Sequence, residues 1–164
     1  MGTVINDWSE LAEKLDSEKA AGKKVVFTNG VFDILHAGHL RSLQSARALG
    51  DVLVVGINTD ESVRNLKGQM RPIINQAERA EMLAGLSCVD YVSIFNDNTP
   101  TALISVVKPD IHCKGGDYRI SDLPEASEVM KNGGEVVILP LLPGRSSTDI
   151  ISKLKQIILL EGGK

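Results

Sequence analysis

The sequence predicts an α/β protein in which a five-stranded parallel sheet carries helices on both faces. Five apolar runs rich in β-branched residues alternate with segments whose apolar residues recur at helical spacing. The joints between these segments are short, so each strand is expected to belong to a βα unit, and such units build a parallel sheet covered on both sides. Together these observations predict a Rossmann-like fold.

The opening segment is predicted to be an amphipathic helix, because Trp8, Leu11 and Leu15 are spaced for one face. A second helix is expected to end at Gly50, and a third to begin at Asn75, whose side chain suits a helix N-cap. In chain order, the helices are predicted over 8–24, 39–50, 75–86, 99–108, 123–134 and from about 147 to 160.

The strands are predicted over 24–29, 51–58, 90–95, 109–116 and 135–142. No low-complexity tract, repeat or shift in composition marks a linker. Residues 1–164 are therefore expected to form a single domain, with 1–23 contributing an opening helix packed on it.

Composition excludes several classes of protein. The net charge is −3 and no long basic run occurs, which argues against a nucleic-acid partner. No segment approaches the ~20 apolar residues of a membrane span, and the N-terminus lacks the layout of a signal peptide. Cys88 and Cys113 are too few and too far apart for a disulfide framework or a metal cluster. A cytoplasmic location is expected.

The chemistry-bearing segments come directly after the predicted strands. In open α/β sheets, ligands bind beyond the carboxyl ends of the strands. The segments that leave the strands here are rich in glycine, hydroxyls, amides and basic groups: "TNGVFDILHAGH", "NTDESVRNLKGQMRP", "NDNTP", "KGGDYR" and "PGRSST". This edge of the sheet is the predicted site.

Two of the three histidines, His36 and His39, lie in "HAGH" after the first of these strands. If the helix begins near Ile34 or Leu35, they share one face of its first turns. The free N–H groups and positive dipole end of a helix N-terminus attract an anion, and Gly38 would let a phosphate approach closely. Ordinary surface or capping histidines are one alternative. Zinc is another, although this spacing supplies two ligands at most.

The segment "GVFDILHAGH" resembles the H-x-G-H signature of the nucleotidyltransferase superfamily that includes cytidylyltransferases. Further segments, "LKGQMRPI", "VKPDIHCKGGDY", "NGGEVVILP" and "SSTDII", occur in the order found in the family of D-glycero-β-D-manno-heptose 1-phosphate adenylyltransferases, which the chain resembles from about Lys24 to Gln156. H-x-G-H alone indicates only the superfamily; the ordered set is much more specific.

The resemblance implies that a sugar 1-phosphate oxygen attacks the α-phosphorus of ATP and that pyrophosphate leaves, giving an ADP-activated heptose for a bacterial surface polysaccharide. It implies Mg²⁺ carried mainly by the nucleotide, with no protein ligand to name. A CTP-dependent cytidylyltransferase for glycerol 3-phosphate or a similar small phosphate is the alternative enzyme. A non-catalytic nucleotide sensor on the same fold is a further alternative.

By resemblance, His36, His39 and Lys67 form the catalytic set. The nucleotide would contact Thr28, Asn29, Gly30, Phe32, His36, Gly38, His39, Lys114, Gly115, Gly116, Asp117, Ser146, Ser147 and Thr148. Asp33, Lys67 and Arg71 are assigned to the substrate phosphate, although a cap or structural role suits Asp33 equally well.

The sequence leaves the roles of some positions open. Asp149 stands where an amide or basic residue is more usual, and it would weaken phosphate binding if it faced inwards. Arg79 either orders the site or forms a surface ion pair. His112, inside a predicted strand, is expected to belong to the core.

The expected partners are ATP and the sugar 1-phosphate. In the resembled family this domain is often fused to a sugar kinase, for which 164 residues leave no room. A separate sugar kinase and phosphatase are therefore expected to supply the substrate, and a homodimer is implied by resemblance.

Overall fold

The computed structural model describes residues 1–140 and 146–161. Its centre is a sheet of six parallel strands in the order β1-β4-β3-β2-β5-β6. The strands are β1 Thr3–Val4, β2 Val25–Gly30, β3 Val52–Asn58, β4 Tyr91–Phe95, β5 Ile111–Gly115 and β6 Glu135–Leu139.

The prediction of five strands was wrong by one. The additional strand, β1, pairs with β4 through Thr3 and Val4, and both residues are exposed. Two exposed residues carry no periodic apolar pattern, so the local sequence does not predict such a strand. The five predicted strands are all present; residues 141–142 of the last one lie outside the described residues.

The helices are α1 Trp8–Ala20, α2 Ala37–Arg47, α3 Asp60–Lys67, α4 Gln76–Ala84, α5 Thr101–Val107, α6 Ala126–Lys131 and α7 Ser147–Glu161, with a short 3₁₀ turn at Ile120–Asp122. The helix α3 was not predicted, because its residues were expected to form a loop after the second predicted strand. This helix buries little apolar surface. Its signal was the cap: the Thr59 side chain accepts a hydrogen bond from Ser62 N, and Asp60 and Glu61 follow in the first turn.

The core lies on both faces of the sheet, as predicted. On one face, Leu11 and Leu15 of α1 join α5 and α6 against Phe27 of β2. On the other face, α2 and α4 pack against Val26 of β2 and the neighbouring strands. The first half of the central strand β2 thus alternates its side chains between two apolar layers, whereas its carboxyl end is only partly buried.

Within the described ranges, no helix combines the length and the apolar character that a membrane crossing requires.

Candidate active site

A cavity of about 410 Å³ opens between the end of β2 and the start of α2. Most of the residues that the sequence assigned to the site line it: Thr28, Asn29, Gly30, Phe32, His36, Gly38, His39, Lys67, Gly115, Ser146 and Ser147. Sequence reasoning did not name four further lining residues, Val31, Ser42, Leu43 and Tyr118. Ser42 was detectable, since it follows His39 by three positions on the same helix. We call this space the histidine cavity.

A second cavity, also of about 410 Å³, adjoins the first. Asn29, Lys67 and Tyr118 line both of them. The second cavity adds Lys114, together with Asn58 at the end of β3 and Asn98 after β4. We call this second space the lysine cavity.

The two histidines meet, but α2 begins later than predicted. It starts at Ala37 rather than at Ile34 or Leu35, and His36 is its N-cap in extended conformation. The His36 Nδ1 accepts a hydrogen bond of 3.1 Å from Gly38 N, so one imidazole caps the helix. The rings of His36 and His39 stack with their centroids 3.8 Å apart. The i, i+3 spacing therefore brings both imidazoles to one spot.

The His39 ring is neutral at pH 7 in the unliganded protein. Burial, followed by repulsion from His36, lowers the pKa of His39 to about 4. Its buried Nδ1 forms no hydrogen bond to any described residue. In His36, an Nδ1 that accepts a hydrogen bond carries no proton, which leaves the proton on Nε2 as a donor. An arriving anion would therefore meet imidazole N–H donors, and it would favour protonation of His39.

Phe32 fixes the far side of His39. It has a φ of +49°, a conformation that residues with a side chain rarely adopt, and its ring centroid lies 5.3 Å from that of His39. A Cβ added at Gly30 would lie 3.0 Å from this ring. A side chain at position 30 would therefore crowd the Phe32 ring.

Asp33 and Arg71 pair with each other instead of lining either cavity. The Asp33 side chain is 1% exposed. It accepts a hydrogen bond from Arg71 Nε and others of 2.8 and 2.9 Å from Ile73 N and Ile74 N. Asp33 thus anchors the segment after α3 to the exit of β2. Of the roles left open for it, the contacts match the structural one.

Arg79 is fully buried beneath the same loops, which excludes the surface ion pair. Its guanidinium donates to the carbonyl oxygens of Val31, Ile74 and Asn58 and forms an ion pair of 2.7 Å with Asp60 Oδ1. Val31 follows β2, whereas the other partners lie at or after the end of β3, so one side chain joins two exit segments. We call the set of Asp33, Asp60, Arg71 and Arg79 the arginine clamp.

The start of α7 is built by its own hydroxyls. Ser146 Oγ accepts a hydrogen bond from Asp149 N and donates one of 2.7 Å to Asp149 Oδ2, which turns this carboxylate towards the cap. Ser147 Oγ donates to Ile34 O at 3.1 Å and ties the helix to the loop before α2. Thr148 is exposed and lines neither cavity.

Three other predicted positions lie at the end of β5. Gly116 N donates to Leu139 O of β6, and Asp117 is exposed; neither residue lines a cavity. Lys114 lies in the lysine cavity, with Nζ 3.1 Å from Glu125 Oε1 and 3.2 Å from Asn29 Oδ1. His112 is fully buried and stacks on Phe27, which confirms its core position.

The residues that line the histidine cavity in the described structure include no carboxylate. In the described parts of the chain, no group of three or more His, Cys, Asp or Glu side chains is arranged to hold a metal ion. The cavity therefore does not offer the oxygen ligands that Mg²⁺ prefers, and any such ion would depend on phosphate oxygens and water.

Comparisons with known proteins identify relatives of similar sequence and fold. The chain is 50% identical over 150 residues to the "Bifunctional protein HldE" of Geobacter metallireducens, and 47% identical over 156 residues to that of Histophilus somni. These alignments cover 92% and 95% of this chain but only 31% and 33% of the relatives, so the chain spans about a third of their length.

Among solved structures, the chain is similar to a lipopolysaccharide core biosynthesis protein from Thermoplasma volcanium, with 34% identity and a TM-score of 0.61. That match covers 74% of this chain and 98% of the other. A pantoate–β-alanine ligase from Francisella tularensis shares the fold, with 16% identity and a TM-score of 0.59 over 92% of this chain and 76% of the other.

The cytidylyltransferase-like family matches residues 27–153, which run from within β2 into α7 and include both cavities. The chain belongs to the cytidylyltransferase-like family.

Proposed function

We propose that this chain transfers AMP from ATP to D-glycero-β-D-manno-heptose 1-phosphate, giving ADP-heptose and pyrophosphate. The observation that carries the proposal is the stacked pair of His36 and His39 at the N-terminus of α2, in a cavity that also holds Lys67 and Ser147. The ordered motifs shared with heptose 1-phosphate adenylyltransferases, and the relatives of similar sequence, support this choice of substrates.

In the proposed reaction, an oxygen of the sugar 1-phosphate forms a bond to the α-phosphorus of ATP. The bond from that phosphorus to the bridging oxygen of the β-phosphate breaks, and pyrophosphate leaves with the electron pair. No covalent bond to the protein is needed, so the chain would position the two substrates and stabilise the developing charge.

The histidines would act at the α-phosphate. Their N–H groups and the first amides of α2 are fixed before the substrate arrives, and donors fixed in this way stabilise charge that develops in the transition state. Because a bound phosphate favours the imidazolium form, the pKa of His39 should rise from about 4 when ATP binds. Lys67 would neutralise charge from the side shared by the two cavities.

The remaining assignments are proposals of the same kind. The nucleotide would contact Thr28, Asn29, Gly30, Phe32, Gly38, Lys114, Gly115, Ser146 and Ser147. Any contribution of Gly116, Asp117 and Thr148 to nucleotide binding would come from their backbone groups. Arg71 and Asp33 would act on the sugar phosphate by shaping the loop after α3. Mg²⁺ would travel on the triphosphate, with its remaining ligands supplied by water.

The test is a matrix of turnover measurements that follow pyrophosphate release. ATP and CTP are each offered with D-glycero-β-D-manno-heptose 1-phosphate, its α-anomer, glucose 1-phosphate and glycerol 3-phosphate. We expect ATP with the β-heptose phosphate to give the highest kcat/KM. A preference for CTP with glycerol 3-phosphate would overturn the proposal, and binding without turnover of any pair would indicate a sensor.

A further inference from the structure

A buried polar network lies under the lysine cavity. It consists of His112, Glu125, Lys114 and Asn29. Glu125 is 2% exposed, and its Oε1 lies 3.5 Å from His112 Nε2 and 3.1 Å from Lys114 Nζ. Lys114 Nζ also donates to Asn29 Oδ1 at 3.2 Å. The network thus runs from the core to a residue that lines both cavities.

Glu125 remains ionised in this position. Burial alone would raise its pKa, but the contacts with His112 and Lys114 lower the pKa to about 2. An ion pair held in the interior adds little net stability compared with an apolar replacement. Stability by itself is therefore a weak reason for a carboxylate here, and its position beside a cavity suggests a different use.

The network decides which way the Asn29 amide faces. A lysine ammonium can only donate hydrogen bonds, so its partner on Asn29 must be the carbonyl oxygen. The Asn29 NH₂ group is then the end of the amide that does not face Lys114. With this orientation, Asn29 offers the cavities a donor next to the Lys114 cation, which suits the oxygen atoms of a polyphosphate.

We propose that Glu125 is a positioning residue for nucleotide binding: it holds Lys114, and through Lys114 it fixes Asn29 as a donor towards the triphosphate. This inference deepens the proposed function and rests on it. Glu125 acts here through its two neighbours and touches no substrate.

The test compares Glu125→Gln with wild type. Gln has the same size and can still accept a hydrogen bond, but it lacks the charge that holds the ammonium. Glu125→Asp keeps the charge and should recover part of the ligand affinity that Glu125→Gln loses. Glu128→Gln is the matched control, since Glu128 lies one turn along α6 and its partners, Ser105, Lys131 and Asn132, line neither cavity.

Affinity for ATP and for inorganic tripolyphosphate is measured by calorimetry, with kcat and KM measured alongside. We expect Glu125→Gln to weaken both ligands at least about tenfold, the scale of one charge-assisted hydrogen bond. Its kcat at saturating ATP should change less than the KM for ATP. In a Lys114→Met background, Glu125→Gln should add no further loss of affinity, because its effect passes through Lys114.

The outcomes separate the two proposals. Unchanged affinity in Glu125→Gln, or a full additional loss in the Lys114→Met background, overturns the positioning role while turnover by wild type stands. Wild type that binds tripolyphosphate but turns over no nucleotide, together with weaker binding in Glu125→Gln, overturns the proposed function and keeps the positioning role. Wild type that binds neither ligand overturns both.

Discussion

The histidine cavity and the arginine clamp lie at the same edge of the sheet, yet they differ in how completely protein atoms satisfy their polar groups. In the clamp, Asp33 accepts three hydrogen bonds, and the Arg79 guanidinium has a partner on each of its nitrogens. In the cavity, the buried His39 Nδ1 has no hydrogen-bond partner among the described residues, and exposed Lys67 forms no ion pair with them.

This difference separates side chains that the protein itself satisfies from a histidine nitrogen that has no partner among the described residues. Buried polar atoms are normally paired, because an unpaired one costs about 1–3 kcal/mol. The clamp meets that requirement with protein atoms alone. The cavity leaves it unmet at His39, and a bound phosphate would supply the missing partner. Stability and turnover should therefore respond to changes in different residues.

Removing the clamp should mainly reduce stability. Arg79→Met leaves three carbonyl oxygens and the Asp60 carboxylate without their donor. We expect the free energy of unfolding to fall by about 3–5 kcal/mol, measured by urea denaturation. The free energy of unfolding of Arg79→Lys should lie between those of wild type and Arg79→Met, because lysine keeps the charge without the forked donors.

The matched control for that prediction is Arg64→Met, which alters an exposed arginine on α3 and should change stability by less than about 0.5 kcal/mol. If the unfolding free energy of Arg79→Met lies within about 1 kcal/mol of the wild-type value, the clamp does not hold the exit loops together.

If the proposed function is correct, removing the His39 imidazole should mainly reduce turnover. We expect His39→Ala to lose about 10²–10³-fold in kcat, because a donor that stabilises transition-state charge has been removed. Its melting temperature should remain close to that of wild type. Gln44→Ala, at an exposed position on the same helix, should leave kcat unchanged. Full turnover in folded His39→Ala would contradict the catalytic assignment.

The smallest effect concerns pH. The folded pKa of His39, about 4, lies below its ordinary value of 6.5, so the unfolded chain takes up this proton first as the pH falls. The stability that depends on the neutral ring is therefore complete above about pH 6.5 and decreases as the pH falls towards 4. Allowing for partial exposure of the ring, we expect His39 to contribute a loss of about 1 kcal/mol between about pH 7 and pH 5.

Urea denaturation at both pH values tests this against His39→Gln, which cannot titrate and should lose correspondingly less stability on acidification. Equal losses in the two proteins would mean that the His39 ring is not desolvated in the folded state.

The elements that the sequence predicted well are those with long apolar signals. The central strand β3 is buried along its whole length and α1 buries residues at helical spacing, and both occur where predicted. The element α3 was missed because a helix with few buried residues lacks that spacing, although its Thr59 cap was visible. The edge strand β1 owes its existence to pairing with β4, a partner about 90 residues away, which no local pattern reports.

The site divides in the same way. The spacing of His36 and His39 predicted their meeting, because helical geometry relates residues three positions apart. By resemblance, Arg71 and Lys67 were assigned to the substrate phosphate and Lys114 to the nucleotide, and the sequence did not indicate which of them the protein itself pairs. Their partners became visible only in three dimensions. Arg71 pairs with Asp33, which lies 38 positions away, and Lys114 pairs with Glu125 at the N-cap of α6.

By itself, then, the sequence determined the alternation of strands and helices, the sheet edge that carries the polar and basic segments, and the proximity of the two histidines. Each of these depends on residues that are near in the chain. Only the tertiary structure decided which charged groups are satisfied by the protein and which remain for a ligand. That division depends on partners brought together by folding and on the water that their burial excludes, and neither is written in local sequence.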